Sequence, residues 1–261
     1  MCGRPSTRIQ SDLALCRSAL YEALALGFRA PTTEIIARLA SAEGAGALAD
    51  AAAILDGAWG SSLAATVRRL AGETGPETLA ASYCRLFGHS ARGLVPPYET
   101  EYGEESLFQP MQEMSDLAAF YRAFGLEVSP AAHERLDHVS AEAEFLLVLR
   151  RKEAYALERE DSAMLDATRR ATGLFLRNHL GRWGPAFGRK LAREDQDGFF
   201  GALGLLLVDF ISHECREAGV PAGPELLRLR SPVPPDLPAG CGPPGEILQT
   251  QSPVALPGPP R

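Results

Sequence analysis

Three features of the sequence predict an all-α fold. Apolar residues recur at helical spacing over most of the chain, glycine and proline fall at the ends of those runs, and no alternating run of strand type occurs. The prediction is one helical-bundle domain of about ten helices with short Gly/Pro joints. At 261 residues and 46% apolar content, the chain can supply a sizeable core.

Ser11-Asp12 caps a first helix, whose positions Leu13, Leu20, Leu24 and Phe28 recur at roughly helical spacing, with Gly27 near its end. Pro31-Thr32-Thr33 opens a second, with Ile35, Ile36 and Leu39 inward. A third is expected over 45–55 and a fourth over 61–72. Pro76 sits in the first turn of a fifth, where its missing N–H costs nothing. That helix presents Leu79, Tyr83, Leu86 and Phe87 on one side and stops at Gly88. A long loop follows, containing Pro96, Pro97, Tyr98 and Tyr102 with the carboxylates Glu99, Glu101, Glu104 and Glu105. A loop of this size in a helical chain is functional or disordered, and its aromatics argue against disorder.

Periodicity resumes over 111–124, with Gly125 as the C-cap candidate. Ser129-Pro130 starts the next segment, and 134–158 reads as one long helix with Val139, Phe145, Leu146 and Leu149 as its stripe. Ser162 caps a helix over 163–180. Gly181 separates a short segment bearing Trp183 and Phe187, and the most apolar helix covers 196–218, ended by Gly219 and Pro221. Half of the twenty prolines lie in 232–260. The organisation predicted is a helical domain over 1–228 and a disordered Pro/Gly-rich tail over 229–261.

The net charge of −7 disfavours nucleic acid and suits a basic partner, such as an arginine-bearing peptide. Five cysteines without a CxxC read as reduced cytoplasmic thiols. Met1 to Pro5 leads into polar residues rather than an apolar signal core, and the run 199–208 is too short to span a bilayer. No phosphate loop, nucleophile elbow or HExxH is present. Cys84 with His89 is the nearest approach to a thiol nucleophile, against the commoner reading of a helical cysteine as a small hydrophobe. Glu134, His138 and Glu142 lie at i, i+4 and i+8 and would share a helical face, as a metal-dependent enzyme would need, with His213-Glu214 as further candidate ligands. Solvated helix charges are the alternative. Asp137-His138 reads either as an N-terminal cap supplied by Asp137 or as a polar anchor for a partner. Tyr98 and Tyr102 either pack the loop down or, with the carboxylates, form a surface for arginine and apolar side chains. A generic helical scaffold that binds some other protein is a third reading.

Two motifs carry a family resemblance. Tyr83-Cys84-Arg85-Leu86-Phe87 matches a Y/F/W-x-x-L-F pattern. Glu134-Arg135-Leu136-Asp137-His138 resembles the E-x-P-x-D-H/E-P-x-D-H pattern, with Leu136 where the proline of E-x-P is expected. Asp116 to Glu127 and Glu142 to Leu146 extend the likeness on either side of the second motif. Together they resemble the TorD/DmsD/NarJ family of molybdoenzyme-specific chaperones. The Pro-Pro-Tyr-Glu-Thr-Glu-Tyr-Gly loop resembles that of the branch serving dimethylsulfide dehydrogenase, selenate reductase, chlorate reductase and ethylbenzene dehydrogenase.

The resemblance implies a cytoplasmic, non-catalytic helical protein with no cofactor or metal of its own. It implies binding of the apo catalytic subunit of a molybdopterin oxidoreductase, and of its twin-arginine leader, before cofactor insertion and export. Tyr83, Leu86 and Phe87 belong to the first motif and Glu134, Asp137 and His138 to the second. With Tyr98, Glu99, Glu101 and Tyr102 they form the expected client and leader site.

Overall fold

A computed structural model of the chain describes residues 7–40, 50–51, 53–55, 73–88, 92–104, 109–129, 134–231 and 248–250. Its principal elements are helices α1 (Thr7–Gly27), α2 (Thr33–Ala40), α3 (Pro76–Phe87) and α4 (Gln109–Ala123), then strand β1 (Leu126–Val128). Helices α5 (Val139–Glu158), α6 (Ser162–Asn178), α7 (Leu180–Glu194) and α8 (Phe199–Glu217) follow, and strand β2 (Leu248–Thr250) comes last. A single 3-10 turn, Glu99–Glu101, lies in the loop after α3. Of the helix expected over 45–55, residues 50–51 and 53–55 are helical. The one expected over 61–72 lies outside the described residues, as do His89, Glu105, Pro130 and most of the proline-rich stretch.

α5 is the axis of the core. It is buried on nearly all sides: Val139, Ala143, Phe145, Leu146 and Leu149 are enclosed, and so are the charged residues Glu142, Glu144, Arg150 and Glu153. α1 lies along it, and α7 pairs with α8 over a similar length. Aromatic contacts, edge-on from Phe120 to Phe145 and Phe175 and tilted between Phe145 and Phe175, join α4, α5 and α6. A second group joins α3 to α7 and α8 through Tyr83, Phe87, Phe187 and Phe200. Each such pair contributes about 0.5–1.5 kcal/mol beyond area burial.

Local chemistry sets the helix ends. Gly88, Gly125 and Gly219 each take positive φ at a helix C-terminus. The cap of α6 is Asp161, whose carboxylate accepts from Met164 N at 2.9 Å, one residue before the expected Ser162. Pro185 sits inside α7 and leaves the carbonyl of Gly181 without its helical donor. Gly223 N donates to that carbonyl at 2.8 Å, which ties the segment after α8 back onto α7.

The helix expected over 134–158 begins at Val139, so Glu134 to His138 form a non-helical entry. The cap is His138 rather than Asp137: its Nδ1 accepts from Ser140 N at 3.1 Å. β1 and β2 form an antiparallel pair, Leu126 opposite Thr250 and Val128 opposite Leu248. Three residues are too few for alternation to announce a strand. Leu229 and Arg230, assigned to the tail from sequence, dock on the body: Leu229 bridges Tyr102 and Arg230 is buried. Among the described residues, no helix is long and apolar enough to cross a membrane.

Candidate functional site: a loop clamped on the entry to the central helix

The loop after α3 docks edge to edge on the entry to α5. Tyr98 and His138 form an antiparallel bridge, Glu99 N donates to Asp137 O at 2.9 Å, and Val139 N donates to Pro97 O at 2.8 Å. The Asp137 carboxylate fastens the same joint. Its Oδ2 accepts from Thr100 N at 3.2 Å and Thr100 Oγ1 at 2.7 Å, and Arg135 Nε donates to its Oδ1 at 2.9 Å. The Arg135 guanidinium lies 4.3 Å from the centre of the Tyr98 ring, and Tyr98 Oη donates to Glu134 Oε1 at 3.1 Å. One guanidinium is thus held between an aromatic face and a carboxylate.

Beneath the joint, arginines from distant parts of the chain neutralise the loop's acids. Glu99 is fully buried. Arg182 donates to its Oε1 at 2.6 Å, and His179 Nδ1 to its Oε2 at 3.0 Å. Arg182 also donates to Glu113 Oε1 at 2.9 Å. Arg230 reaches Glu113 Oε2 at 2.8 Å and the carbonyl of Thr100 at 2.9 Å, and its backbone N donates to Glu101 O at 2.8 Å. Arg92 pairs with Glu101 at 2.9 Å. Buried charges survive only when paired in this way. Gly103 is fitted to the arrangement, because a Cβ there would lie 2.9 Å from the Arg230 guanidinium and its φ is +120°.

Burial controls protonation here. Glu142 accepts from Trp183 Nε1 at 3.1 Å, and desolvation, reinforced by the nearby Glu99 charge, raises its pKa well above the usual carboxylate range. Burial lowers the pKa of His138, against the opposing pull of Glu134 and Asp137. With Nδ1 accepting from Ser140, the neutral ring carries its proton on Nε2, which is buried without a hydrogen-bond partner, 3.9 Å from Glu134 Oε2. Desolvation also raises the pKa of Glu101, with Arg92 opposing.

The ten residues expected at the site fall into three groups. Tyr83, Leu86 and Phe87 are core residues of α3. Glu99, Tyr102, Asp137 and His138 are buried in the joint, with Tyr102 Oη donating to Pro96 O at 2.9 Å. Tyr98, Glu101 and Glu134 remain half-buried at its edge. The second motif and the loop therefore form one structure, whereas the first motif supports it from the core. Arg135, Thr100, Glu113, His179, Arg182 and Arg230 were not singled out from sequence. Arg135 and Thr100 lay beside residues that were; the other four come from distant segments. The metal reading needed Glu134, His138 and Glu142 on one helical face. Glu134 and His138 instead precede α5, and among the described residues no three His, Cys, Asp or Glu side chains converge to hold a metal.

Comparison with known proteins bears on this arrangement. The family model described as nitrate reductase delta subunit matches residues 40–189, more than half of the chain. The chain is 32% identical over 138 residues to chaperone protein TorD of Vibrio cholerae serotype O1 (strain M66-2), covering 52% of this chain and 60% of that protein. It is 31% identical over 137 residues to chaperone protein TorD of Vibrio parahaemolyticus serotype O3:K6, covering 51% and 60%. Chaperone protein TorD of Photobacterium profundum is 30% identical over 137 residues, again 51% and 60%. The matched region thus spans about 60% of each of these relatives. The chain belongs to the nitrate reductase delta subunit family, the NarJ/TorD group to which the two motifs pointed.

Proposed function

We propose that the chain is a cytoplasmic chaperone for the apo catalytic subunit of a molybdopterin oxidoreductase of the DMSO reductase family. It binds that subunit and its N-terminal twin-arginine leader, and holds both until cofactor insertion. The chain itself performs no catalysis in this reading. The observation that carries it is the edge of the joint. Tyr98 and a carboxylate already hold the guanidinium of Arg135, so the local chemistry suits arginine. Glu134 and Glu101 lie half-buried at that edge and Glu104 is exposed, giving an acidic rim for further arginines. The buried members, Glu99, Asp137, His138 and Tyr102, shape the rim rather than touch the client, and Tyr83, Leu86 and Phe87 hold it from the core. A rim of charge with modest apolar burial favours fast, salt-sensitive, reversible association.

The test is calorimetry with the leader peptide of the oxidoreductase subunit that co-purifies from the native host. Glu134→Gln combined with Glu104→Gln is expected to weaken binding by about tenfold or more, the loss of one or two charge-assisted hydrogen bonds. Unaltered affinity in the double variant rejects the rim as the site. Failure of the parent chain to bind either leader or subunit rejects the chaperone reading itself.

A further inference from the structure

Among the described residues, most arginines of this acidic protein are paired. Arg17, Arg29, Arg85, Arg135, Arg150 and Arg230 each lie within ion-pair distance of a carboxylate. Among the same residues, Arg8, Arg122, Arg159, Arg193 and Arg228 make no ion pair, and neither do two arginines that stand together on one face of α6. Among the described residues, Arg170 makes no ion pair, and Arg177 makes a single long contact of 3.4 Å to its neighbour Asn178. Both border an open groove of about 360 Å³ between α6 and the turn after α8. Its floor is Gly173 and Leu174 with Ala218 and Val220, and Arg169, held on Glu153 at 2.7 Å, flanks it. Leu174 is 43% exposed. Residues 170, 173, 174 and 177 stand at i, i+3, i+4 and i+7, so the arginines and the apolar floor share one face of the helix.

Gly173 is a second and independent observation. Glycine inside a helix costs about 0.5–1 kcal/mol relative to alanine. Gly173 is not among the glycines of positive φ, and a Cβ built on it meets nothing within 4 Å. Neither backbone conformation nor packing asks for glycine here. What a larger side chain would remove is room in the groove.

We infer that this groove is a docking site for an acidic segment of a partner protein. One apolar side chain of the segment rests on Gly173 and Leu174, and flanking carboxylates pair with Arg170 and Arg177. The two arginines are about 10 Å apart along the helix axis, which sets the spacing of the acids. The volume lies at the low end of ligand pockets, roughly 300–1,000 Å³, and suits a side chain rather than a cofactor. The groove shares no residue with the acidic rim and has the opposite sign, so it repels an arginine-bearing leader. It therefore stands or falls independently of the leader site.

The experiment is titration of the full chain at low salt with the capped peptide Glu-Glu-Ala-Leu-Ala-Glu-Glu, its lysine-for-glutamate counterpart, and inorganic phosphate. The acidic peptide is expected to bind saturably, and more weakly as salt rises. Arg170→Glu with Arg177→Glu, and separately Gly173→Leu, are each expected to weaken it by about tenfold or more. Gly173→Ala is expected to retain binding and to raise the melting temperature, which shows that the helix tolerates the position. No binding up to about 1 mM overturns the proposal. So does equal affinity in the charge-reversed variant, equal binding of the lysine peptide, or displacement by an equal concentration of phosphate, which would make the groove a small-anion site.

Discussion

Glu142 shows how one buried group couples the site to pH. Its carboxyl sits under the joint with Trp183 Nε1 as its hydrogen-bond donor, and burial raises its pKa. A carboxyl whose folded pKa is raised contributes stability that is fully present below its unfolded value and is lost as pH rises through the folded value. Glutamine cannot titrate, and its Oε1 still accepts from Trp183. Glu142→Gln is therefore expected to melt higher than the parent near about pH 8, with the gap closing toward about pH 4. Thermal denaturation across that range checks it, and a gap that is constant with pH would locate the effect elsewhere. The burial of Glu142 was not legible in the sequence, because a carboxylate on a helix reads as solvated until its neighbours are known. The same holds for Glu99, whose partners lie some eighty residues away on His179 and Arg182.

At the scale of elements, the sequence was most legible where local chemistry decides. The C-termini of α3 and α4, marked by Gly88 and Gly125, fall within a residue or two of their expected places, and so does the proline-led start of α3. It was least legible at Glu134 to His138. Helical spacing continues through that segment, yet its backbone pairs with the loop instead, a tertiary contact that overrides propensity. The crossing of α7 and α8 depends on another feature that spacing alone does not reveal. A Cβ on Gly188 would lie 2.5 Å from Gly204 O, and one on Gly204 would lie 2.6 Å from Gly188 O. The helices touch backbone to backbone. Gly188→Ala, favourable for helix propensity alone, is expected to destabilise the chain by about 1–3 kcal/mol through overpacking. Urea denaturation reads this directly, and a stabilised variant would mean that the crossing can relax.

Across the whole molecule, the candidate site is assembled from segments far apart in sequence: the loop after α3, Glu113 of α4, the entry to α5, Arg182 of α7, and Arg230 beyond α8. Arg230 closes the set. Its side chain is 6% exposed and Glu113 is 10% exposed, so the pair is nearly desolvated. Arg230→Ala is expected to cost about 3–5 kcal/mol, the usual penalty for removing one partner of a buried pair. It is also expected to increase amide exchange around Thr100 and Gly103, read by hydrogen–deuterium exchange. Protection unchanged at those amides would show that the loop does not need the strap.

The position of Arg230 also sets a schedule for the protein's own birth. The loop at Thr100 emerges from the ribosome well before the arginine that anchors it, with 130 residues of separation. At ordinary rates of synthesis that is a delay on the order of ten seconds. Until their partners are made, Glu99 lacks Arg182 and Glu113 lacks Arg230. The joint is therefore incomplete for most of the chain's synthesis, and is closed only after the chain has been made through Arg230.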